Sequence, residues 1–523
     1  MESQKAHDTP APAPTVRKSA LEEYEQSGRP VWILTKTELK LLGIAGVGFF
    51  LDAYDLFIIN PVATMLKYRL YNGEDLPAGL EGFMKAGANI GSVVGQFLFG
   101  YLADSLGRKA IYGKELMLII FATIMCMTLP TGSLSPDSCL IYLGVWRIIL
   151  GVGVGGDYPM SASVTSDRSN LRKRGTMLAY VFSNQGWGSL AGSLVTIIVL
   201  ACYKHTMDVD GKTSKVDGVW RIAVGVSLVP AFATLYQRLT LPESTRFLKS
   251  QETSDVDDIE RLKREAESSE NGSSNDEKSA GAPGNGTQSV EVQDDKKHHF
   301  TELKAYFSEW RHLKLLLGTS ICWFLLDIAF YGINLNQNVV LQQIGFDGKD
   351  GSPWQKLFKT STGNIIITAL GFVPGYYASV VLIEKLGRKW IQVQGFLLAA
   401  LFLGILAGRF DTLSKAGFIV CFAFLQFFFN FGANTCCYPA EVFPTKFRAF
   451  AHGLSAACGK AGAIVSALAF NSLTKKIGTP NVLWIFVGCC IAGAGFTFLL
   501  PEVRGRDADE VYEAEKQEAA RSA

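Results

Sequence analysis

A chain of 523 residues with 48% apolar side chains, 52 glycines and only 19% charged residues does not read as several water-soluble domains; lipid is the better solvent for it. Its formal net charge of +2 gives no reason to expect a nucleic-acid partner, and its ten cysteines lie in or beside apolar runs, without metal spacing or a disulfide framework. Neither a nucleophile–base pair nor a metal cluster stands out, so no enzyme and no cofactor is expected.

Residues 1–38 are polar, with Pro10, Pro12 and Pro14, and match neither a cleavable signal peptide nor a transit sequence. Apolar runs long enough to cross a hydrocarbon core, about 20 residues each, follow near 39–63, 80–103, 110–130, 139–162, 175–201 and 219–241. A second set lies near 312–344, 361–384, 390–408, 414–436, 449–472 and 481–500. The predicted architecture is an all-α membrane protein of twelve transmembrane helices in two six-helix halves, 39–241 and 312–500. Between the halves, 242–311 is rich in Glu, Asp, Lys, Ser and Gly and is expected to be largely disordered; 501–523 forms a C-terminal tail. Lys and Arg in the short loops balance between the two sides, and the tails and central segment tip the orientation toward cytosolic termini. Glycosylation at Asn271 or Asn285 would overturn that topology. Among basic residues assigned to spans, Lys85, Arg221 and Arg238 sit near ends and are expected to snorkel, while Arg147 and Lys460 lie deeper.

The two halves share a repeat. Asp104-Ser-Leu-Gly107-Arg108-Lys109 returns 280 residues later as Glu384-Lys-Leu-Gly387-Arg388-Lys389, and Tyr158-Pro159 returns at the same offset as Tyr438-Pro439. Duplicated units of this size are how many transporters are built. The paired loops, with Pro242-Glu243 and Pro501-Glu502 closing spans 6 and 12, match the signature of the major facilitator superfamily, where they serve gating rather than binding. Gly87, Gly91 and Gly95, and Gly151, Gly153, Gly155 and Gly156, are read as helix-packing glycines; no strand precedes the second group, which excludes a dinucleotide loop.

Carboxylates inside spans cost about 2.5–3.5 kcal/mol each and therefore need a reason. Asp52 and Asp55 lie on span 1, Asp157 on span 4 and Asp327 on span 7; a salt bridge to Arg147 or Lys460, or a capping role, is the structural alternative for each. His452 is read as lying at the mouth of span 11, so a proton relay would run on carboxylates. Trp323, Asp327 and Tyr331 fall at four-residue intervals on one face of span 7, aligning an indole donor, an acceptor and a hydroxyl. Tyr158, Gln185, Asn434 and Lys460 are grouped with that face, with interhelical hydrogen bonding as the alternative for Gln185 and Asn434.

Gly155-Gly156-Asp157-Tyr158-Pro159, Phe49 to Asp55, Trp323 to Gln337 and Ala457-Cys-Gly-Lys460 resemble the phosphate:proton symporters of the major facilitator superfamily, especially fungal high-affinity phosphate permeases. The resemblance spans about 40–505. It implies inorganic phosphate and protons as cargo, with phosphate held by Tyr158, Gln185, Trp323, Asp327, Tyr331 and Asn434 and Lys460 close by. It implies proton handling by Asp52 and Asp157, beside which Asp55 is grouped, and gating by Asp104, Gly107, Arg108, Lys109, Glu384, Gly387 and Arg388, with Arg147 added. A multi-pass plasma-membrane protein follows. After Asn434 the chain departs from the family pattern with Thr-Cys-Cys-Tyr-Pro-Ala-Glu441, so a glycerophosphodiester or other organic phosphate is the alternative cargo. A nutrient sensor that signals through the central segment is the alternative of another class.

Overall fold

The structure, a computed structural model, describes residues 30–250, 252, 300–346, 351–432 and 437–522. The expectations for Asn434 and for disorder in the body of the central segment fall outside these residues. The first half is built from Lys36–Phe57 continuing as Ile59–Leu70, Ala78–Leu106, Lys114–Met127, Pro136–Arg168, Arg174–Cys202, and Val216–Gly225 followed by Leu228–Leu239. The second comprises Trp310–Asn334, Pro353–Ile367 running through a π-turn Thr368–Phe372 into Val373–Leu386, Arg388–Gly408, Lys415–Asn430, Arg448–Ile477 and Thr479–Thr497. These are spans 1 to 12 in chain order, six in each half.

Ten of the twelve are long and apolar enough to cross a bilayer unaided. The others are Ala78–Leu106, whose buried face carries Lys85, Asn89, Gln96 and Asp104, and Lys415–Asn430, at 16 residues about 24 Å long. The run expected near 312–344 is interrupted: span 7 ends at Asn334, and a separate short helix, Asn338–Ile344, follows. Large apolar side chains cover the outside of the bundle, with Tyr236 76% and Val229 70% exposed. Such a surface suits acyl chains, not water.

Spans 2 and 4 touch backbone to backbone, and their glycines are the reason. A Cβ on Gly91 would strike the Ile148 carbonyl, and one on Gly155 the Ser92 carbonyl. Without a hydrophobic force between helices in lipid, such close packing holds the pair together. Gly91→Ala should therefore lower the thermal midpoint of the purified chain by the equivalent of about 1–3 kcal/mol. Gly43→Ala, whose Cβ would meet nothing within 4 Å, should leave it unchanged.

Candidate functional site

At the centre a hydrogen-bonded chain passes from one half to the other. Tyr376 on span 8 donates to Gln185 Oε1 on span 5 at 2.8 Å, and Gln185 Nε2 donates to the Tyr158 hydroxyl on span 4 at 2.5 Å. Tyr158 also hydrogen-bonds Tyr331 of span 7. Lys460 Nζ on span 11 donates to the Tyr331 hydroxyl at 2.5 Å and stands 3.7 Å from Asp327 Oδ2. Its ammonium lies 4.3 Å from the Tyr331 ring centroid and 5.1 Å from that of Tyr158, so two aromatic faces share the cost of burying it. Asp327 Oδ2 has no hydrogen-bond partner among the described residues. The site therefore offers a cation, several hydroxyls, an amide and a carboxylate oxygen that is ion-paired but not hydrogen-bonded among the described residues.

Six of the seven residues read from sequence as binding residues fall among the described residues, and all six are in this region. Trp323 closes its motif-facing side, its indole against Gly459 and 5.5 Å from the His452 ring. Tyr376 was missed. In Gly375-Tyr376-Tyr377 it resembles an interfacial aromatic, and only the π-turn before it, beside Pro374, hints that span 8 is locally rewound. Tyr376→Phe removes one link and is expected to raise KM for the transported ligand about threefold to tenfold, as loss of ~0.5–1.5 kcal/mol implies, with the folded fraction unchanged in size-exclusion profiles. His452, expected at the mouth of span 11, is instead buried between Trp323 and Phe182 with both ring nitrogens unpartnered among the described residues.

Asp157 is paired with neither Arg147 nor Lys460. Its Oδ1 lies 2.5 Å from Arg238 Nη1 and accepts from Ser161 at 2.9 Å. Arg238 also approaches Glu115 Oε1 at 3.4 Å and donates to the Ile44 carbonyl, with its guanidinium 4.9 Å from the Tyr112 ring centroid. Nothing of the Arg238 side chain is exposed, so the expected snorkelling does not occur: span 6 turns this residue into the bundle, where three polar partners replace water. Gly48 makes the room, since a Cβ there would overlap both Asp157 Oδ2 and Arg238 Nη2. Asp52 is buried with neither oxygen hydrogen-bonded among the described residues, in the field of Asp157, Arg238, Asp55 and Lys460. It is the carboxylate between the two clusters.

Asp55 is buried on span 1, where its backbone carbonyl accepts a hydrogen bond from Arg147. Arg147, grouped with the gating motifs, donates to the carbonyls of Met84 at 3.1 Å and Asp55 at 3.0 Å and so joins spans 1, 2 and 4 within one half. Lys85 is buried against Glu81 at 2.6 Å, and Arg221 binds the carbonyls of Met127 and Leu129 at the end of span 3. Both head groups lie near span ends, Lys85 at the wall of a cavity and Arg221 half-buried.

The repeated loops form one end of the bundle, where the halves are bound together. Gly107 and Gly387 hold φ of +90° and +83°, a conformation that only glycine adopts without strain. A Cβ at either would press on Glu243 or Glu502. Those two acids cap the next helix, Glu243 accepting from Lys109 N at 2.9 Å and Glu502 from Arg388 N at 3.0 Å and Lys389 N at 3.1 Å, which explains the Pro-Glu pairs. The acid of each motif reaches the opposite half: Asp104 accepts from Phe450 N at 2.7 Å at the start of span 11, and Glu384 from Thr176 N at 3.1 Å at the start of span 5. Arg108 meets Asp104 at 3.1 Å and the Thr445 carbonyl at 2.9 Å; Arg388 makes a two-pronged pair with Glu441 at 2.7 Å. The C-terminal helix Ala508–Ser522 and the residue before it reinforce this end. Asp507 joins Arg174 of the first half and Arg246 of the segment that follows it, and Asp509 caps Thr445 of the second half. Burial alone would raise the Asp507 pKa, but Arg174 and Arg246 hold it below the usual range. The link is therefore intact above about pH 4 and is lost only as pH falls through the lowered value.

Toward the other end, aromatic rings lie over the central chain. Phe57 stacks on Tyr331 at 6.1 Å and meets Phe372 edge-on at 6.1 Å, while Phe330 stands 5.5 Å from Phe372. Asn60 donates across the halves to the Asn334 carbonyl at 2.9 Å.

Two pseudo-symmetric halves, a buried polar chain between them and a latch at one end define a membrane transporter of the major facilitator superfamily, not an enzyme. Residues 41–514 match the family model described as sugar (and other) transporter, and the chain belongs to that family. Among known proteins it is similar to a Schizosaccharomyces pombe protein named for inorganic phosphate transport, 46% identical over 94% of this chain and 91% of its relative. It is 35% identical to the inorganic phosphate transporter of Saccharomyces cerevisiae (95% and 87% covered). The repressible high-affinity phosphate permease of Neurospora crassa is 36% identical (90% and 86% covered). Of solved structures, the proton:xylose symporter XylE bound to a bromodeoxyglucose matches with TM-score 0.68 and 20% identity, covering 91% of this chain and 98% of that one. At that identity the likeness is one of fold.

Proposed function

We propose that this protein imports inorganic phosphate together with protons by alternating access, in the plasma membrane, with both termini and the motif end of the bundle in the cytosol. The residue ranges expected from sequence, 39–241 and 312–500 as the moving halves and 242–311 as the cytosolic connection, belong to this reading. The observation that carries it is the polar chain from Tyr376 to Asp327, because its chemistry is complementary to a phosphate carrying a proton. Phosphate oxygens accept hydrogen bonds from Lys460, Tyr158, Tyr331, Gln185 and Trp323, while a P–OH donates to Asp327 Oδ2, which faces Lys460 at 3.7 Å without a hydrogen bond among the described residues. Sulfate has no proton at neutral pH, so it would face that carboxylate unpaired and repelled, the kind of mismatch a buried polar site rejects strongly. The names of the relatives point to the same cargo.

Moving a monoanion into a negative cell costs about 2.3 kcal/mol per 100 mV, so more than one proton per phosphate is needed for the potential to assist uptake. The first half has the groups to hold them. Asp52, Asp157 and Glu115 surround one guanidinium, Arg238; with all three ionised, two protons would neutralise the cluster. In the mechanism proposed, Asp52 and Asp157 take protons from outside. Lowered charge near Lys460 then lets the ammonium hold phosphate, and closure of the outer aromatic lid accompanies release of the cytosolic latch. On the cytosolic side Lys460 turns back to the ionised carboxylates and phosphate leaves. Competition against labelled phosphate uptake tests the cargo: excess phosphate should compete fully, and sulfate and glycerophosphoinositol poorly. Full competition by glycerophosphoinositol with weak competition by phosphate would reassign the cargo to the organic ester.

A further inference from the structure

At the end opposite the motifs, a cavity of about 490 Å³ opens between the halves and is lined by four lysines against two carboxylates. The lysines come from both halves: Lys67 and Lys85 from the first, Lys356 and Lys475 from the second. Lys67 is paired with Asp75 and Lys85 with Glu81, each at 2.6 Å. Lys356 and Lys475 have no ion pair within 4 Å among the described residues. The space holds roughly 15 waters at ~30 Å³ each, enough for a hydrated oxyanion.

The cavity lies directly over the central site. Asn336 lines it, five residues beyond Tyr331 and so within about two helical turns of it. Between them lie the Phe57–Tyr331 stack and the Asn60–Asn334 bond. The lysine field is strong enough to act on its own wall: Asp75 is held below the usual carboxylate range by the hydrogen bond and charge of Lys67, with Lys475 adding to it. Concave low-dielectric walls of one sign concentrate an oppositely charged solute.

We propose that this vestibule is a second, weaker phosphate site, at which Lys356 and Lys475 capture the anion before the aromatic lid admits it to Lys460. The proposal rests on phosphate as the cargo, and it requires both halves, since neither alone supplies the four lysines. When the halves rock to open the cytosolic end, the vestibule narrows; capture and release are thereby coupled to the transport step.

Two measurements test it. The double variant K356Q/K475Q in proteoliposomes should raise KM for phosphate about threefold to tenfold and flatten its dependence on ionic strength, as loss of electrostatic capture requires, with the maximal rate within about twofold. Separately, in the D327N background, inorganic phosphate at millimolar concentration should slow acylation of Lys356 and Lys475 by a membrane-impermeant amine reagent, read by mass spectrometry. The second readout needs no uptake, so a wild-type chain that fails to transport phosphate sinks the cargo assignment while protection still reports on the vestibule. Unchanged KM and salt dependence, or absence of protection by phosphate, overturns the proposal. Protection by phosphatidylglycerol vesicles but not by phosphate overturns it too and assigns the lysines to lipid headgroups.

Discussion

Replacing Asp327 by Asn should lower kcat/KM for phosphate uptake by about thirtyfold to a few thousandfold, the equivalent of the ~2–5 kcal/mol lost when one member of a buried charge pair is truncated. The loss has two sources. The amide removes the counter-charge 3.7 Å from Lys460, and it replaces an acceptor by a group that can present an N–H to the P–OH. The same change removes the repulsion that excludes sulfate, so sulfate should become a better competitor relative to phosphate in the variant than in the wild type. Initial-rate uptake with labelled phosphate and unlabelled sulfate checks both outcomes. An Asp327→Asn chain that keeps full phosphate uptake and excludes sulfate as before would remove Asp327 from the site.

Changes at Arg238 are expected to act first on the fold. Arg238→Met strands Asp157 and Glu115 without their shared cation, and removing one partner from a buried ion pair typically costs about 3–5 kcal/mol. The thermal midpoint of the purified chain should fall accordingly, and Asp157→Leu in the same chain should restore part of it, since an apolar pair of similar volume is often tolerated where a lone charge is not. Asp157→Asn keeps the shape and the Ser161 contact while removing the titrating group. Folding should therefore survive, and uptake driven by a pH gradient should fall to the level seen without a gradient. An Asp157→Asn chain whose uptake keeps the wild-type pH dependence would show that Asp157 does not carry the proton. An Arg238→Met chain of unchanged stability would contradict the buried pair.

The scaffold was readable because its signals are local. A Gly-Arg-Lys loop between two apolar runs, repeated 280 residues later, states the two-half construction, and the four-residue spacing of Trp323, Asp327 and Tyr331 states one helical face. What periodicity does not state is which other helix a face meets. Arg238 and Asp157 are 81 residues apart, and position near a span end suggested snorkelling because depth can be read from sequence while azimuth cannot. Glu115 was not singled out in the sequence; it is buried on span 3 with its oxygen on Gly113 N and Arg238. Arg147 went the other way: its depth invited a functional role, and its donors are used on backbone carbonyls. Gly48, which makes room for the acid cluster, lies among other small residues, Gly43, Ala45 and Gly46, and nothing in the sequence sets it apart from them.

The central claim is coupled import of phosphate and protons. The purified chain reconstituted in liposomes, with an acid-outside pH gradient and an inside-negative potential, should accumulate labelled phosphate beyond its equilibrium level, and a protonophore should abolish the accumulation. Phosphate that merely equilibrates, or accumulation indifferent to the protonophore, would contradict the account.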